Sequence, residues 1–363
     1  MSVSPIRIGV MMKLLVYGLR LLARLFYIFP VKERVVFMSR QSSKTSLDMR
    51  LLINTLNRDL SDLEIVTCLT EPETNNALSF IVGTMKQLYY FCTSTVVVVD
   101  GYVPAVSIPK KRRATTVIQL WHALGAIKKF GYQCLDTPAG RTSKAAKTAC
   151  MHKNYDYIIA GGPGAVPAYS EAFGYPEKSI LPLGLPRIDY LLDPNPDSER
   201  RQIGKMLKDQ YDFLRNSKPN ILYAPTLRKG DEYKGWLTKA LKEIAQKYSN
   251  KVNLLIAGHP LDFDFDINLL QEFSWLHFIP SVSTIDLLEL ADTVISDYSA
   301  VIFEAGLLGK RLEFFTPDIE KYRESPGLNI EPSDINETFL ENYFAETGYG
   351  ATRKICELIK KKI

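Results

Sequence analysis

Short apolar runs, separated by longer stretches with helical spacing, recur along most of the chain. Arg34-Val-Val-Phe-Met-Ser39 reads as a short buried strand, Ser46 to Asn57 has helical spacing, and Leu63 to Leu69 reads as a second strand. A helix over Asn76 to Tyr90 follows, then the β-branched run Thr95-Val-Val-Val-Val-Asp100, which suits a strand covered on both faces. Lys110 to Arg113 makes a basic loop before the strand Thr115 to Leu120. Arg141 to Lys153 predicts a basic helix, Tyr155 to Ala160 the next strand, Gly161 to Gly164 a turn into a helix through Phe173, and Ser179 to Leu183 a further strand. This alternation predicts a doubly wound, parallel α/β sheet.

The pattern then breaks at Asp193-Pro-Asn-Pro-Asp-Ser-Glu-Arg-Arg201, polar and punctuated by proline, which reads as an inter-domain connection. A second α/β series follows, with strands at Asn220 to Ala224, Val252 to Ala257, Thr293 to Ser296 and Leu312 to Phe315. Helices over Gly235 to Tyr248, Thr284 to Leu290 and Ala300 to Leu308 alternate with them. The expected architecture is two Rossmann-like domains facing a cleft, residues 1–192 and 193–363. Such a length is comfortable for two cores.

Charge sharpens this picture. The net +5 is unevenly spread: Ala105 to Lys153 holds ten Lys or Arg against one acid, Asp136, a local +9, and the remainder is about −4. A concentrated basic region points to an anionic partner. Residues 10–29 are rich in Leu, Val and Phe, yet Lys13, Arg20 and Arg24 interrupt them. At about 100° per residue the three cations fall within an arc of roughly 40°, a narrow basic stripe on a very apolar helix. That suits a helix lying in a membrane interface, and equally a first helix buried in a core with its cations outside. The five cysteines form no CxxC pair and no carboxylates cluster like metal ligands, so neither a metal nor another cofactor is implied. A reducing, cytoplasmic compartment is the simpler reading.

Candidate chemistry collects at predicted strand ends, where parallel sheets place their ligands. The stretch Gln119-Leu-Trp-His-Ala-Leu-Gly-Ala-Ile-Lys-Lys-Phe-Gly131 puts His122 there, beside Lys128 and Lys129. Gly184-Leu-Pro-Arg187-Ile-Asp189, Tyr223-Ala-Pro-Thr226 with Arg228, and Ala257-Gly-His259-Pro260 close other strands. Arg187 and Arg228 suit bidentate contact with phosphate oxygens. Ser296-Asp297-Tyr298-Ser299 leads into a helix that Gly309 ends, with Ser299 as N-cap candidate. His122 and His259 come from different domains and are placed to meet across the cleft; His152 and His277 read as structural.

These stretches, together with Phe314-Phe-Thr-Pro-Asp-Ile-Glu-Lys-Tyr322, resemble the CDP-glycerol glycerophosphotransferases of teichoic acid synthesis over about residues 95 to 330. The continuation Ala-Leu-Gly-Ala-Ile-Lys after Trp121-His122 is most similar to the branch that adds a first glycerol phosphate. The resemblance implies a GT-B fold, a peripheral enzyme on the cytoplasmic membrane face, CDP-glycerol as donor and an undecaprenyl-diphosphate-linked disaccharide as acceptor. Motif by motif, it implies His122 and His259 as catalytic residues. It assigns donor contacts to Thr226, Arg228, Ser296, Asp297, Tyr298 and Ser299, with Arg187 and Asp189. Lys128, Lys129, Arg141, Lys144 and Lys147, with Lys13, Arg20 and Arg24, are expected to draw in the acceptor diphosphate and the anionic inner-membrane surface.

Two other classes remain open at this point. One is a nucleotide-sugar glycosyltransferase or epimerase of the same architecture, which would release UDP. The other is a non-catalytic protein that uses the +9 segment on a membrane or on RNA. Aromatic residues are not interleaved with those cations, which argues against nucleic acid.

Overall fold

Crossover helices cover a parallel sheet on both faces, and the all-apolar runs of this chain fold as strands of such sheets. The computed structural model describes residues 5–70, 77–226, 228, 233–256, 266–279 and 282–363. Strands Lys32–Ser39 (β1), Glu64–Leu69 (β2), Ser94–Val99 (β3), Thr116–Gln119 (β4), Tyr157–Ile159 (β5) and Ile180–Leu181 (β6) form one sheet in the order β2-β1-β3-β4-β5-β6. Strands Asn220–Ala224 (β7), Asn253–Ile256 (β8), Leu276–Phe278 (β9), Thr293–Ser296 (β10) and Arg311–Phe314 (β11) form a second, β11-β10-β7-β8-β9. Every pairing is parallel. In the first sheet Val36 lies beside Val97 and Val97 beside Val117, all fully buried.

Strand order decides where each sheet opens. The first reverses direction between β1 and β3, the second between β7 and β10. Connections leave those neighbours to opposite sides, so a crevice opens at their carboxyl ends. Ser39 and Asp100 stand at the first of these points, Ala224 and Ser296 at the second.

The chain divides into two compact units. The first holds Met1–Asp189, Arg323–Gly327 and Tyr343–Ile363; the second holds Tyr190–Tyr322 and Leu328–Asn342. This corrects the single boundary at 192/193. The last helix, Ala351–Lys360, buries Ala351, Ile355, Cys356 and Ile359, one stripe of a strongly amphipathic helix. That stripe belongs to the first unit, where Lys360 pairs with Asp59 at the end of the helix Leu47–Asp59. Asp189 caps this last helix, its carboxylate accepting the N–H groups of Gly350, Ala351 and Thr352 at 2.5, 3.0 and 2.8 Å.

Three elements depart from the sequence reading. Leu276–Phe278 is an edge strand that the apolar pattern does not predict, and the His277 ring stacks on Phe213 with centroids 3.5 Å apart. The basic helix shrinks to Ser143–Thr148, because its core-facing periodicity is carried by little more than Ala146. The helix after Ser299 starts at Val301 with Ala300 at the N-cap position, and Ser299 reaches the Val301 N–H only at 3.5 Å. The ending at Gly309 stands, its φ of +63° lying in the left-handed region that glycine adopts without strain.

Candidate functional site

In the first unit the polar residues converge on His122. Its ring Nδ1 lies 3.0 Å from the backbone carbonyl of Asp100. A carbonyl oxygen only accepts, so Nδ1 carries the proton and Nε2 keeps a free lone pair. The side chain is reached by solvent, yet protein crowded around the ring disfavours the charged form and lowers its pKa; the Asp100 carbonyl works against that shift.

The strand ends shape the loop that carries this ring. Gln119, the last residue of β4, accepts the Trp121 N–H at 2.8 Å and donates to the Gly101 carbonyl at 3.0 Å, tying together the loops after β3 and β4. Trp121 adopts φ +59°, costly for a bulky residue, and its ring lies over His122 with centroids 4.0 Å apart. Phe130 stacks on the Trp121 ring, centroids 4.8 Å apart. Tyr169, fully buried, donates to the Ala123 carbonyl at 2.6 Å. Gly161 lets β5 approach this loop: a Cβ there would lie 2.1 Å from the Leu124 carbonyl oxygen.

His122 is coupled to a group of charges of which the sequence reading held only Arg187. Arg187 donates Nε at 2.9 Å and Nη2 at 2.5 Å to one oxygen of Asp48, Oδ2, and its backbone N–H reaches Oδ1 at 2.8 Å. Asp100 is 3% exposed and its Oδ1 has no hydrogen-bond partner. Burial pushes its carboxyl up to about 6, against the pull of the Ser39 hydroxyl. Arg187 lowers the His122 pKa and Asp48 raises it, so the pair and the imidazole sense one another. A carboxylate that closes a valine run, as Asp100 does, was the available signal.

In the second unit the turn after β10 is braced from within. Ser296 donates to the Ala224 carbonyl at 2.6 Å, and Asp297 Oδ1 accepts the N–H of Thr226 at 2.8 Å and of Tyr298 at 2.6 Å. Arg228 is clamped between two acids: Nη1 to Asp297 Oδ2 at 2.7 Å, and Nε and Nη2 to Asp318 at 3.0 Å each. Its guanidinium lies 3.4 Å from the Trp236 ring centroid, and Tyr298 stacks on Tyr322 at 3.8 Å. Burial opposes the arginine's charge, but the Asp318 bonds and the Asp297 charge outweigh it and raise the pKa. Thr226, Arg228 and Ser296–Ser299 therefore come together at the sheet's reversal point, with Arg228 and Asp297 spending their polar atoms on the frame. Thr226 Oγ1 is buried without a partner.

The remaining predicted residues fall as follows. His259 lies outside the described residues. Asp189 gives its carboxylate to the last helix, as above. Lys129, Arg141, Lys144 and Lys147 are exposed and Lys128 half-buried, all in the first unit. The first helix, Pro5–Phe26, buries Val16, Leu19 and Ala23, while Lys13, Arg20 and Arg24 are exposed. Leu14, Tyr17, Leu21 and Leu25 on the same helix are also exposed, each by half or more. Among the described residues no helix is long and apolar enough to cross a membrane.

Comparison with known proteins gives this geometry a context. The chain is 32% identical over 309 residues to a teichoic acid ribitol-phosphate primase of Bacillus spizizenii, covering 81% of this chain and 76% of that one. It is 28% identical over 244 residues to a teichoic acid glycerol-phosphate primase of Bacillus subtilis, 67% of this chain and 61% of the relative's length. The structure of the wall teichoic acid polymerase TagF matches with a TM-score of 0.69 at 19% identity, covering 97% of each chain. The UDP-GlcNAc 2-epimerase of Neisseria meningitidis matches at 0.55 and 16% identity, over 90% of this chain and all of that one. These matches fit the two parallel sheets and make the fold GT-B-like. The pattern described as CDP-glycerol:poly(glycerophosphate) glycerophosphotransferase matches residues 21–341, and the chain belongs to that family.

Proposed function

We propose that this protein transfers glycerol phosphate from CDP-glycerol to an undecaprenyl-diphosphate-linked disaccharide, priming a teichoic acid chain and releasing CMP. The observation that carries the reading is the fixed tautomer of His122, with Nδ1–H on the Asp100 carbonyl and Nε2 left as an acceptor at the carboxyl edge of the sheet. An acceptor hydroxyl oxygen bonds to the β-phosphorus in line, and the bond from that phosphorus to the bridging oxygen breaks. CMP leaves with the electron pair, and the hydroxyl proton passes to Nε2. A lowered pKa keeps Nε2 unprotonated at neutral pH, and a base so placed contributes about 10²–10⁴-fold. His259 is assigned, from its sequence motif, to charge neutralisation at the β-phosphate.

Donor binding is assigned to the edge formed by Thr226 and Ser296–Ser299, with Arg228 and Asp297 as its braces. Arg187 and Asp189 act on their own unit in the same bracing way. Docking on the cytoplasmic face of the membrane is assigned to the first helix, whose apolar stripe Leu14, Tyr17, Leu21 and Leu25 stands beside the cations Lys13, Arg20 and Arg24. Arg20 and Arg24 also line, with Lys110 and Lys153, a concavity of about 560 Å³. Each cation near an anionic surface adds about 1 kcal/mol.

A second donor is favoured by one observation: similarity to the ribitol-phosphate primase runs over 309 residues, against 244 for the glycerol-phosphate primase of Bacillus subtilis. The deciding experiment offers CDP-glycerol, CDP-ribitol and UDP-sugars with a lipid-linked disaccharide and weighs the product. CMP release with a single added glycerol phosphate is expected. A ladder of products would make the chain a polymerase, and UDP release would remove it from polyol-phosphate transfer.

A further inference from the structure

Among the described residues, five buried or half-buried arginines have an acid or a set of backbone carbonyls as partners. Arg34 pairs with Glu64, Arg187 with Asp48, Arg200 with Glu289, Arg228 with Asp297 and Asp318, and Arg112 donates to three backbone carbonyls. Arg40 differs from these five. It is half-buried, directly after β1, and its recorded partner is the Phe80 ring, 5.2 Å from the guanidinium carbon. Arg141 behaves alike, its guanidinium carbon 5.3 Å from the centre of the Tyr102 ring. Among the described residues neither has a carboxylate within ion-pair distance. Asp136, the acid nearest Arg141 in sequence, accepts the Ser143 N–H at 2.8 Å and its hydroxyl.

We propose that Arg40, at the end of β1, and Arg141, over the Tyr102 ring at the end of β3, form a binding site for a diphosphate group at the carboxyl edge of the first sheet. The inference rests on the transferase reading for its source of diphosphate, and its geometry is independent of that reading. Arg40 is the first residue after β1, Tyr102 the third after β3 and His122 the third after β4, three neighbouring parallel strands. Adjacent strands lie about 4.8 Å apart, so this edge spans roughly 10 Å, within reach of long side chains. Tyr102 is pinned by its hydroxyl, which donates to the Ala149 carbonyl at 2.6 Å. Its ring meets His152 at 5.9 Å, His152 meets Trp121 at 6.3 Å, and Trp121 lies over His122 at 4.0 Å. Arg141 thus stands at the far end of a chain of rings that begins at His122, and Arg40 follows the neighbouring strand β1.

Arg141, over the Tyr102 ring at the neighbouring strand end, opposes the charge of half-buried Arg40. Burial first, and then Arg141, lower the pKa of Arg40, while Tyr102 favours its charge. An anion of high charge relieves that opposition, and the planar forks match phosphate oxygens in pairs. The diphosphate has two possible carriers, the lipid-linked acceptor and the nucleotide donor.

The test uses the full chain and inorganic pyrophosphate as probe, by titration calorimetry. R40Q and R141Q are each expected to weaken pyrophosphate binding about tenfold or more, with melting temperatures near the parent's, and R40K to recover part of the loss. K178Q, which removes an exposed charge elsewhere, is the control. Parental affinity in R40Q and R141Q, or an equal loss in K178Q, overturns the site. Because pyrophosphate binding needs no turnover, this result stands apart from failure of the transferase reading, which would show as no CMP release by the parent chain. In steady-state kinetics, a raised KM for the lipid-linked acceptor alone assigns the diphosphate to the acceptor, and a raised KM for the CDP-polyol alone assigns it to the donor.

Discussion

At the scale of single residues, the chemistry depends on how main-chain atoms hold a side chain. The Asp100 carbonyl fixes the His122 tautomer, while the Asp100 carboxyl is a buried group with its own pH dependence. Its pKa rises from 3.8 to about 6 on folding, so between those values the folded state keeps a proton that the unfolded chain has lost. Stability from this group is therefore full below about pH 4 and is lost as pH rises toward 6, by about 3 kcal/mol. Asp100→Asn keeps the carbonyl and removes the titration. Its stability relative to the parent, from urea unfolding at a series of pH values, should shift by about 3 kcal/mol in its favour between pH 4 and 7; a pH-independent difference would contradict this. Arg228 makes a different prediction. A clamped, buried arginine leaves two acids unpaired when removed, so Arg228→Ala should cost about 3–5 kcal/mol in the same assay. Loss of donor binding at parental stability would instead make it a ligand contact. His122 was legible from its place at a strand end, and Arg228 from its motif. Asp48 was not, because a carboxylate in the first turn of a helix reads as ordinary dipole complementation until the fold brings Arg187 to it.

At the scale of elements, two helices do more than their sequence announces. The last helix belongs to the first unit because one stripe of small and branched residues fits there and because Asp189 satisfies three of its free N–H groups. Asp189→Ala should cost about 1–2 kcal/mol and raise the rate of proteolysis within residues 343–363. Equal protease sensitivity would show that the cap does not hold the helix. That docking was illegible because an amphipathic stripe says how wide a buried face is, not which unit buries it. The first helix was legible as apolar with a basic stripe, but not which way its apolar residues face. The structure buries Val16, Leu19 and Ala23 and exposes Leu21 and Leu25. Replacing Leu21 and Leu25 with serine should reduce sedimentation with anionic vesicles several-fold, with catalysis on a soluble acceptor retained. Unchanged sedimentation would remove the helix from membrane docking.

At the scale of the whole molecule, the strand runs were read correctly nearly throughout, because strands buried on both faces leave a continuous apolar signal. The exception was β9, an edge strand of three residues whose Leu276-His277-Phe278 sequence is interrupted by a histidine. Strand order was beyond the sequence, since it is set by which connection crosses which face, and it is strand order that places both polar edges. The central claim is that this edge of the first sheet presents His122 as the base of a phosphotransfer. The direct measurement is CMP release from CDP-glycerol and a lipid-linked disaccharide by His122→Ala, with circular dichroism and melting temperature matched to the parent. A fall of about 10²–10⁴-fold is the predicted result; release at the parental rate from a folded variant would contradict it.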